Sequence, residues 1–204
     1  RLKPDFKTIA DFRKDNGPAI RKVCQQFVAL CRDIQGAQMA YVQSDEISVL
    51  VHSYKRFSSE PWYGNKVQKF TSVSASIASV HFTSSIRELT SNKKLMAFFD
   101  SRVFQLPESD VCNYFVWRQR DSIKNCTQQA ARMSYGAKSI FKKKTDELTA
   151  LMEESGNELW ESLTGSNKRG RCVMKNDRSW NVQEAPPFTE NREMINSLLA
   201  TEEE

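Results

Sequence analysis

Residues 39–51 read MAYVQSDEISVLV, and this stretch decides the fold of the chain. Its two halves flank the polar residues Ser44-Asp45-Glu46, which are typical of a tight turn. In each half, the residues that would point to one side of a sheet recur with the two-residue period of a β-strand. The alternating residues are Met39, Tyr41 and Gln43 against Ala40 and Val42, and then Ile47, Val49 and Val51. The stretch therefore predicts a β-hairpin with an acidic pair at its turn.

Helices are predicted on both sides of the hairpin, because apolar residues recur there at helical spacing. The predicted helices cover residues 18–33, 62–86, 108–135, about 145–155 and 189–200. Short strands are predicted at 97–106, which Pro107 closes, and at 171–174. The regular strand–helix alternation of a parallel doubly wound sheet is missing. We therefore expect an α+β fold with a mostly antiparallel sheet flanked by helices.

The composition is that of an ordinary globular protein without membrane partners. The 204 residues are 39% hydrophobic and 27% charged, which allows one sizeable core and argues against disorder. No apolar run approaches the roughly 20 residues of a membrane-spanning helix, and the chain does not open like a signal peptide. Five cysteines without a C-x-x-C pair predict reduced thiols rather than disulfides or zinc. We therefore expect a cytoplasmic protein.

Two basic clusters stand out within a net charge of +5. They consist of Lys138, Lys142, Lys143 and Lys144, and of Lys168, Arg169, Arg171 and Lys175. Such clusters can neutralise the phosphates of a nucleic acid or a nucleotide. The alternative is that both are solvated surfaces, and charge alone does not choose between the two interpretations.

Carboxylates are the candidate chemical groups, because the two histidines are isolated from each other and from the thiols. Asp45 and Glu46 at the predicted turn are the best candidates for metal ligands, since Mg²⁺ prefers one or two carboxylates together with phosphate oxygens. A pair of catalytic ions would need a further bridging carboxylate. The alternative is that the acidic pair only supplies turn chemistry.

A second candidate site lies in the predicted helix 108–135, where residues 117–125 are rich in polar side chains. Arg118, Asp121 and Asn125 recur at i, i+3 and i+7 and so share one helix face. An arginine with an amide on one face suits the phosphate and base edge of a nucleotide. The alternative is a solvated helix with an internal Arg–Asp pair. Phosphate-binding loops of the G-x-x-x-x-G-K-[ST] or G-x-G-x-x-G type do not occur.

Taken together, four ordered motifs resemble the tRNAHis guanylyltransferase family, most closely its bacterial, archaeal and phage-type relatives that polymerise in the 3′-to-5′ direction. The motifs are residues 41–48, Phe99-Asp100-Ser101-Arg102, Trp117-Arg118-Gln119-Arg120-Asp121 with Asn125, and Lys168-Arg169-Gly170. The resemblance covers about residues 33–200.

The resemblance implies a polymerase palm-like sheet and two Mg²⁺ ions. It also implies GTP as the preferred substrate, ATP for 5′ activation, and a tetramer. The 3′-hydroxyl of an incoming nucleotide would attack the activated 5′ phosphate of tRNA. Asp45 and Glu46 would be the catalytic and metal-binding residues. Ser44, Lys69, Arg118, Asp121 and Asn125 would bind the nucleotide, and Lys138, Lys142, Lys143, Lys144, Lys168 and Arg169 would bind tRNA.

The first 32 residues depart from the family's pattern. Family members open with a strand that carries Asp-Gly-Arg, whose aspartate bridges both metal ions, and this chain contains no Asp-Gly-Arg. Residues 1–32 instead resemble a segment of an insertion-sequence transposase, so we expect a transposase-like segment at 1–32 in place of the family's first strand and helix. The guanylyltransferase-like palm and C-terminal region would then span 33–200.

Three functional hypotheses follow. The first is an active tRNA nucleotidyltransferase, impaired by the missing Asp-Gly-Arg aspartate. The second is a catalytically inactive palm that still binds tRNA or nucleotide. The third, a DNA transposase, rests on residues 1–32 alone and lacks the later carboxylates that a transposase needs.

Overall fold

The computed structural model describes residues 27–56, 58–176 and 179–201. Residues 27–33 are helical (α1), and a hairpin of two strands follows. The elements after α1 are β1 Ala37–Gln43, β2 Glu46–Val51, a 3₁₀ helix Trp62–Asn65, α2 Val67–Thr90, α3 Glu108–Tyr135, α4 Thr145–Glu154, α5 Glu158–Ser162, α6 Gly165–Arg169, β3 Arg171–Asn176, β4 Ser179–Glu184, α7 Arg192–Asn196 and a 3₁₀ helix Ser197–Leu199.

The strands form one antiparallel sheet in the order β2-β1-β3-β4. The predicted hairpin is confirmed, with Val42 opposite Ile47 and Gln43 opposite Glu46. Ser44 and Asp45 make the turn, and Ser44 has a left-handed backbone with φ of 47°. The predicted α+β fold with an antiparallel sheet flanked by helices is therefore confirmed.

Successive residues of a strand point to opposite sides of a sheet, and β1 has apolar residues on both sides. Helices cover both faces of the sheet and bury these residues. Met39 and Tyr41 pack on the face that α3 covers, where they belong to one buried cluster with Phe115 and Phe188. Ala40 and Val42 pack on the other face, together with α1 residues and with Phe82 of α2. Helices α2 and α3 thus lie on opposite faces of the sheet, and the hairpin turn ends between them.

Helix α3 is the longest element, and its predicted bounds are confirmed. Pro107 precedes its first residue, and Gly136, at φ of 80°, ends it. Glu108 and Asp110 lie in the first turn, where negative charge is favourable against the helix dipole. Helix α2 begins five residues later than predicted, because the backbone of residues 63–65 has positive φ and cannot continue a helix.

The strand predicted at 97–106 is wrong. These residues are extended but belong to no sheet, because their backbone bonds to hydroxyl groups of α2 instead of to another strand. Strand β4 was not predicted, although its half-buried Trp180 and Val182 alternate with exposed residues. Of the predicted helix at 18–33, residues 27–33 are confirmed and the rest lies outside the described residues. Within the described residues, no helix is long and apolar enough to cross a membrane.

Candidate nucleotide and metal site

The hairpin turn presents the acidic pair in two different environments. Asp45 is exposed at the tip of the turn. Glu46 is the first residue of β2, and its Oε2 accepts a hydrogen bond of 3.0 Å from Nε2 of Gln43, whose side chain is buried. The register of the hairpin explains this contact, because Gln43 and Glu46 are directly opposite each other. Glu46 is therefore held at the turn, whereas the Asp45 carboxylate projects into solvent.

Helix α3 brings three of the predicted nucleotide-binding residues to this turn. Nη2 of Arg118 forms an ion pair with Oε2 of Glu46 and lies 3.6 Å from Oδ2 of Asp121. Nδ2 of Asn125 donates a hydrogen bond of 3.3 Å to the same Asp121 oxygen. The shared helix face predicted from sequence spacing is confirmed. We call Glu46, Arg118, Asp121 and Asn125 the polar cluster.

The Arg118 side chain is nearly enclosed, at 11% exposure, although it lies near the surface. The Trp117 ring covers it, with the guanidinium carbon 4.7 Å from the ring centroid. Enclosure strengthens a cation's interactions with anionic partners, because water screens them less. Arg118 is thus a fixed cation whose partners are two carboxylates in the described structure.

Gln119, the next residue of α3, has a structural role instead of a place in the polar cluster, and the sequence motif did not indicate this role. Its Nε2 donates to the carbonyl oxygen of Pro186 at 2.9 Å, and its Oε1 accepts from the backbone N–H of Phe188 at 2.8 Å. The side chain is buried at 4% exposure. Gln119 therefore ties α3 to the segment after β4, and it fixes the rotation of α3 that points Arg118 towards the turn.

The junction of α6 and β3 packs directly behind β1. The hydroxyl of Tyr41 donates to the carbonyl oxygen of Arg169 at 2.6 Å. Burial raises the pKa of Tyr41 above its usual range, so the phenol stays protonated and keeps donating this bond. Gly170 has φ of 83°, and a Cβ there would lie 2.6 Å from the carbonyl oxygen of Val42. Only glycine fits this close approach without strain.

The two predicted tRNA-binding residues of this junction already have partners within the chain. Nζ of Lys168 lies 3.8 Å from the centroid of the Trp160 ring. Arg169 pairs with Glu184 at 2.5 Å and donates from Nε to the carbonyl oxygen of Ala185 at 3.2 Å. Any RNA phosphate would therefore compete with these contacts, and binding by both residues stays a prediction.

An open cleft of about 750 Å³ lies beside the polar cluster. Ser44 and Asn125 line it, so it connects the hairpin turn with the polar cluster. Its remaining lining comes from the C-terminal half of α3, the loop after it and α4: Gln128, Gln129, Arg132, Ala137, Ile140, Phe141, Lys142, Lys143 and Leu148. The family resemblance assigned Lys142 and Lys143 to tRNA, but the structure places both at the cleft together with two of the predicted nucleotide ligands, Ser44 and Asn125. Lys138 and Lys144 are exposed nearby in the chain.

Lys69 is the predicted nucleotide-binding residue that lies on α2. It is exposed near the start of α2, which packs on the sheet face opposite to α3. Binding of a nucleotide by Lys69 stays a prediction.

The metal ligands predicted at the turn meet part of what Mg²⁺ requires. Asp45 and Glu46 provide two adjacent carboxylates, and magnesium is commonly bound by one or two of these together with phosphate oxygens. Among the described residues there is no group of three or more histidine, cysteine, aspartate or glutamate side chains that could hold a metal. The turn thus provides one exposed carboxylate, Asp45, and a second, Glu46, that is paired with Arg118; binding of Mg²⁺ by these two residues stays a prediction.

The thiols take no part in this site. In the described part of the chain, Cys31, Cys112, Cys126 and Cys172 form no disulfide bonds, as the prediction of reduced thiols expects. Burial raises the pKa of Cys31 and of Cys172 to about 12 in each case. Such thiols are almost wholly protonated at neutral pH and are poor nucleophiles and metal ligands.

Comparison with known proteins supports the resemblance of the motifs. The family described as tRNAHis guanylyltransferase matches residues 4–107. This match begins within residues 1–32 and continues past the junction that the sequence indicated near residue 33.

Solved structures are similar over most of the chain. A bacterial tRNA(His) guanylyltransferase-like protein in complex with ATP is 32% identical, with a TM-score of 0.80 and coverage of 90% of this chain and 80% of that chain. The same description applies to a complex with GTP at 31% identity and a TM-score of 0.69, covering 87% and 77%. The enzyme of Saccharomyces cerevisiae, at 15% identity and a TM-score of 0.63 over 91% and 88%, shares the fold.

A curated relative is an uncharacterised protein of Acanthamoeba polyphaga mimivirus, which is 26% identical over 163 residues. The match covers 69% of this chain and 56% of the viral protein, so the chain spans little more than half the length of that relative.

Proposed function

Because the chain belongs to the tRNAHis guanylyltransferase family, we propose that it is a nucleotidyltransferase that adds nucleotides, preferably from GTP, to the 5′ end of tRNA. The observation that carries the proposal is the placement of the polar cluster. It lies between the acidic turn and a cleft that Lys142 and Lys143 line. One side of this arrangement suits a metal ion, and the other suits a nucleotide.

The cleft is the proposed nucleotide site. Its lysines, Lys142 and Lys143, carry charge suited to a triphosphate, and Phe141 and Ile140 provide apolar surface for a base. Ser44 offers a hydroxyl and Asn125 an amide at the end of the cleft nearest the turn. Relatives in the solved structures bind ATP and GTP, which is consistent with a nucleotide of this size.

Arg118 is the proposed link between nucleotide and turn. Its guanidinium has five donors, of which the described contacts use part, and it is held in place by Trp117 and Glu46. A phosphate near Asp45 would meet a cation that is already positioned. The entropic cost of ordering the Arg118 side chain during the reaction is therefore lower. Glu46 would act mainly by orienting Arg118, and Asp121 would orient Asn125.

Asp45, supported by Glu46, is the proposed magnesium-binding residue. The ion would supply charge neutralisation at the reacting phosphate. The chain's own residues would do the rest: Lys138, Lys144, Lys168 and Arg169 would attract the tRNA backbone, and Arg118 would orient the phosphate. The 3′-hydroxyl of the incoming nucleotide then forms a bond to the 5′ phosphate of tRNA, and the activating group on that phosphate leaves.

Further parts of the proposal come from the family. They are a second magnesium ion, ATP for 5′ activation, Lys69 as an additional nucleotide contact, a tetramer and a cytoplasmic location. The transposase-like origin of residues 1–32 is likewise a proposal, and residues 1–26 lie outside the described residues.

A second candidate function is an inactive palm that binds tRNA or nucleotide without turnover. The observation in its favour is that the described acidic turn provides two carboxylates, one of which is engaged by Arg118. A two-ion mechanism would need another carboxylate.

Incorporation of labelled GTP into tRNA that lacks its 5′ nucleotide tests the two functions directly. Activity should depend on magnesium and fall by about a thousandfold in Asp45→Ala, because several kcal/mol of transition-state stabilisation are lost. If the wild-type protein binds tRNA in a salt-dependent way but incorporates nothing, the inactive palm is correct. Absence of both binding and incorporation contradicts both functions.

The role of Arg118 can be separated from general charge effects with a neighbour on the same helix. Arg118→Met should weaken GTP binding or slow incorporation by about tenfold or more, as expected for loss of a charge-assisted contact. Arg120→Met is the matched control, because Arg120 is exposed on another face of α3. Equal effects of both substitutions would argue against a specific role of Arg118.

A further inference from the structure

Three aromatic rings form a continuous strip along the first half of α3. Phe104, from the segment before the helix, lies edge-on to Tyr114 with 5.3 Å between the ring centroids, and the centroid of Tyr114 lies 6.1 Å from that of Trp117. The hydroxyl of Tyr114 is 2.9 Å from Oγ of Ser48 on β2, and this contact fixes the middle ring against the sheet. We call Phe104, Tyr114 and Trp117 the aromatic strip.

The two outer rings of the strip are exposed although they are large and apolar. Phe104 is 57% exposed and Trp117 is 58% exposed, whereas Tyr114 between them is partly buried against the core. Arg118 lies over one face of the Trp117 ring, and the rest of that ring is open to solvent. Neighbouring exposed apolar side chains mark interaction sites more often than single ones do. The aromatic strip is therefore a candidate binding surface.

The aromatic strip and the cleft lie at opposite ends of one stretch of α3. The strip ends at Trp117, and the first cleft residue of the helix is Asn125, about 12 Å further along the helix axis. Arg118, paired with Glu46 beside Asp45, lies between the two. A nucleotidyl transfer joins two substrates, an incoming nucleotide and the end of an RNA. With the incoming nucleotide in the cleft, the strip is the surface beside Arg118 that is left for the RNA end.

The charges around the strip set the direction in which a nucleotide would lie on it. Glu108 and Asp110 are exposed in the first turn of α3, before the helical part of the strip, and their carboxylates would repel a phosphate. Arg118, at the other end of the strip, would attract one. A base on the strip would therefore have its phosphate directed towards Arg118 and the turn that carries Asp45.

We propose that the aromatic strip binds the base at the 5′ end of tRNA by stacking, chiefly on Trp117. This inference rests on the proposed function, because it assigns a site to the second substrate of that reaction. Aromatic side chains commonly hold RNA bases by stacking, and such a site accepts any base because every base has a π face. The stacked base would hold its own 5′ phosphate beside Arg118. The strip would thus select the end of an RNA stem, since bases within the stem are covered by their neighbours.

Fluorescence of 2-aminopurine tests the stacking without requiring turnover, because contact with an aromatic ring quenches this base. The probe is an RNA hairpin of the tRNA acceptor stem with 2-aminopurine as its 5′-terminal base. Its fluorescence should fall on binding to the wild-type protein. Trp117→Leu should remove most of this fall and weaken binding of the hairpin by about tenfold, as expected for the loss of one stacked base. Trp117→Phe keeps an aromatic face and should retain most of the quenching.

Two controls separate stacking at the RNA end from general effects. Phe98→Leu is the matched protein control, because Phe98 is 81% exposed on the same segment as Phe104 but lies outside the strip. This variant should quench the terminal base as the wild-type protein does. A second hairpin carries 2-aminopurine in the middle of its stem, and its fluorescence should be the same with Trp117→Leu as with the wild-type protein. Circular dichroism should show an unchanged fold in each variant, because the replaced side chains are exposed.

Three results would overturn the proposal. Terminal quenching that persists in Trp117→Leu would show that this ring only covers Arg118, and the proposed function would still stand. Quenching of 2-aminopurine ribonucleoside triphosphate that is lost in Trp117→Leu would assign the strip to the incoming nucleotide instead of to the RNA end. Failure of the wild-type protein to bind the hairpin at low salt would contradict the proposed function together with this inference.

Discussion

Replacement of Gln119 by leucine should destabilise the protein far more than the conservative size of the change suggests. The substitution removes a donor and an acceptor from a side chain that is 4% exposed. It leaves the carbonyl oxygen of Pro186 and the N–H of Phe188 without their partners at 2.9 Å and 2.8 Å. Each buried polar group that loses its partner costs about 1–3 kcal/mol, so the expected total for the two groups is about 2–6 kcal/mol.

Urea unfolding followed by circular dichroism measures this loss. A thermal melt is a second measurement: in a chain of this length, 1 kcal/mol corresponds to a change of about 2–4 °C in Tm, so the melting temperature should fall by about 4–24 °C. Gln128→Leu is the matched control, because Gln128 lies exposed on the same helix. It should change the free energy of unfolding by less than about 0.5 kcal/mol. Equal, small effects of both substitutions would refute the assigned role of Gln119.

Gln119→Glu gives a further signature of the same contact. At neutral pH the introduced carboxylate still accepts from Phe188 but faces the Pro186 carbonyl oxygen with a second acceptor. When protonated, it can donate to that oxygen as glutamine does. Its pKa in the folded state is therefore raised, so its stability contribution is present below its ordinary pKa near 4.3 and is lost as pH rises. The variant should approach wild-type stability on acidification, and a constant deficit at all pH values would contradict this geometry.

Three further predictions concern backbone fit, pH and metal. Gly170→Ala should lower the free energy of unfolding in urea by about 2–5 kcal/mol, because the added Cβ contacts a carbonyl oxygen and the residue also has a strained positive φ. Gly156→Ala is the control. Gly156 also has a positive φ but has open space around it, so this substitution should cost about 1–2 kcal/mol. A smaller loss for Gly170→Ala would contradict the close approach. Burial raises the pKa of Cys31 and Cys172 from 9.0 to about 12, so their stabilising contribution is complete below pH 9 and is lost as pH rises towards 12. The urea midpoint should fall over that range, and a flat profile would speak against their burial. Chelation of divalent ions should abolish GTP incorporation, and added magnesium should restore it; activity in the presence of chelator would exclude a metal at the turn.

The sequence by itself determined the features that depend on neighbouring residues. The hairpin followed from two-residue alternation around Ser44 and Asp45, and the helix at 108–135 was predicted to begin directly after Pro107. The common face of Arg118, Asp121 and Asn125 followed from helical spacing alone. These predictions held because turn chemistry and periodicity act over a few residues.

Tertiary packing decided which of these faces meet. Glu46 and Arg118 are 72 residues apart in sequence and pair because Phe115 packs α3 onto the Tyr41 face of the sheet. Lys69 lies on α2, which covers the other face of the sheet, and its binding of a nucleotide stays a prediction. Nothing local in the alternation of residues 97–106 distinguishes a strand within the sheet from one that bonds to hydroxyls of a helix. Contacts of this range depend on how apolar surface is shared between the two faces of the sheet, and only the folded chain fixes that division.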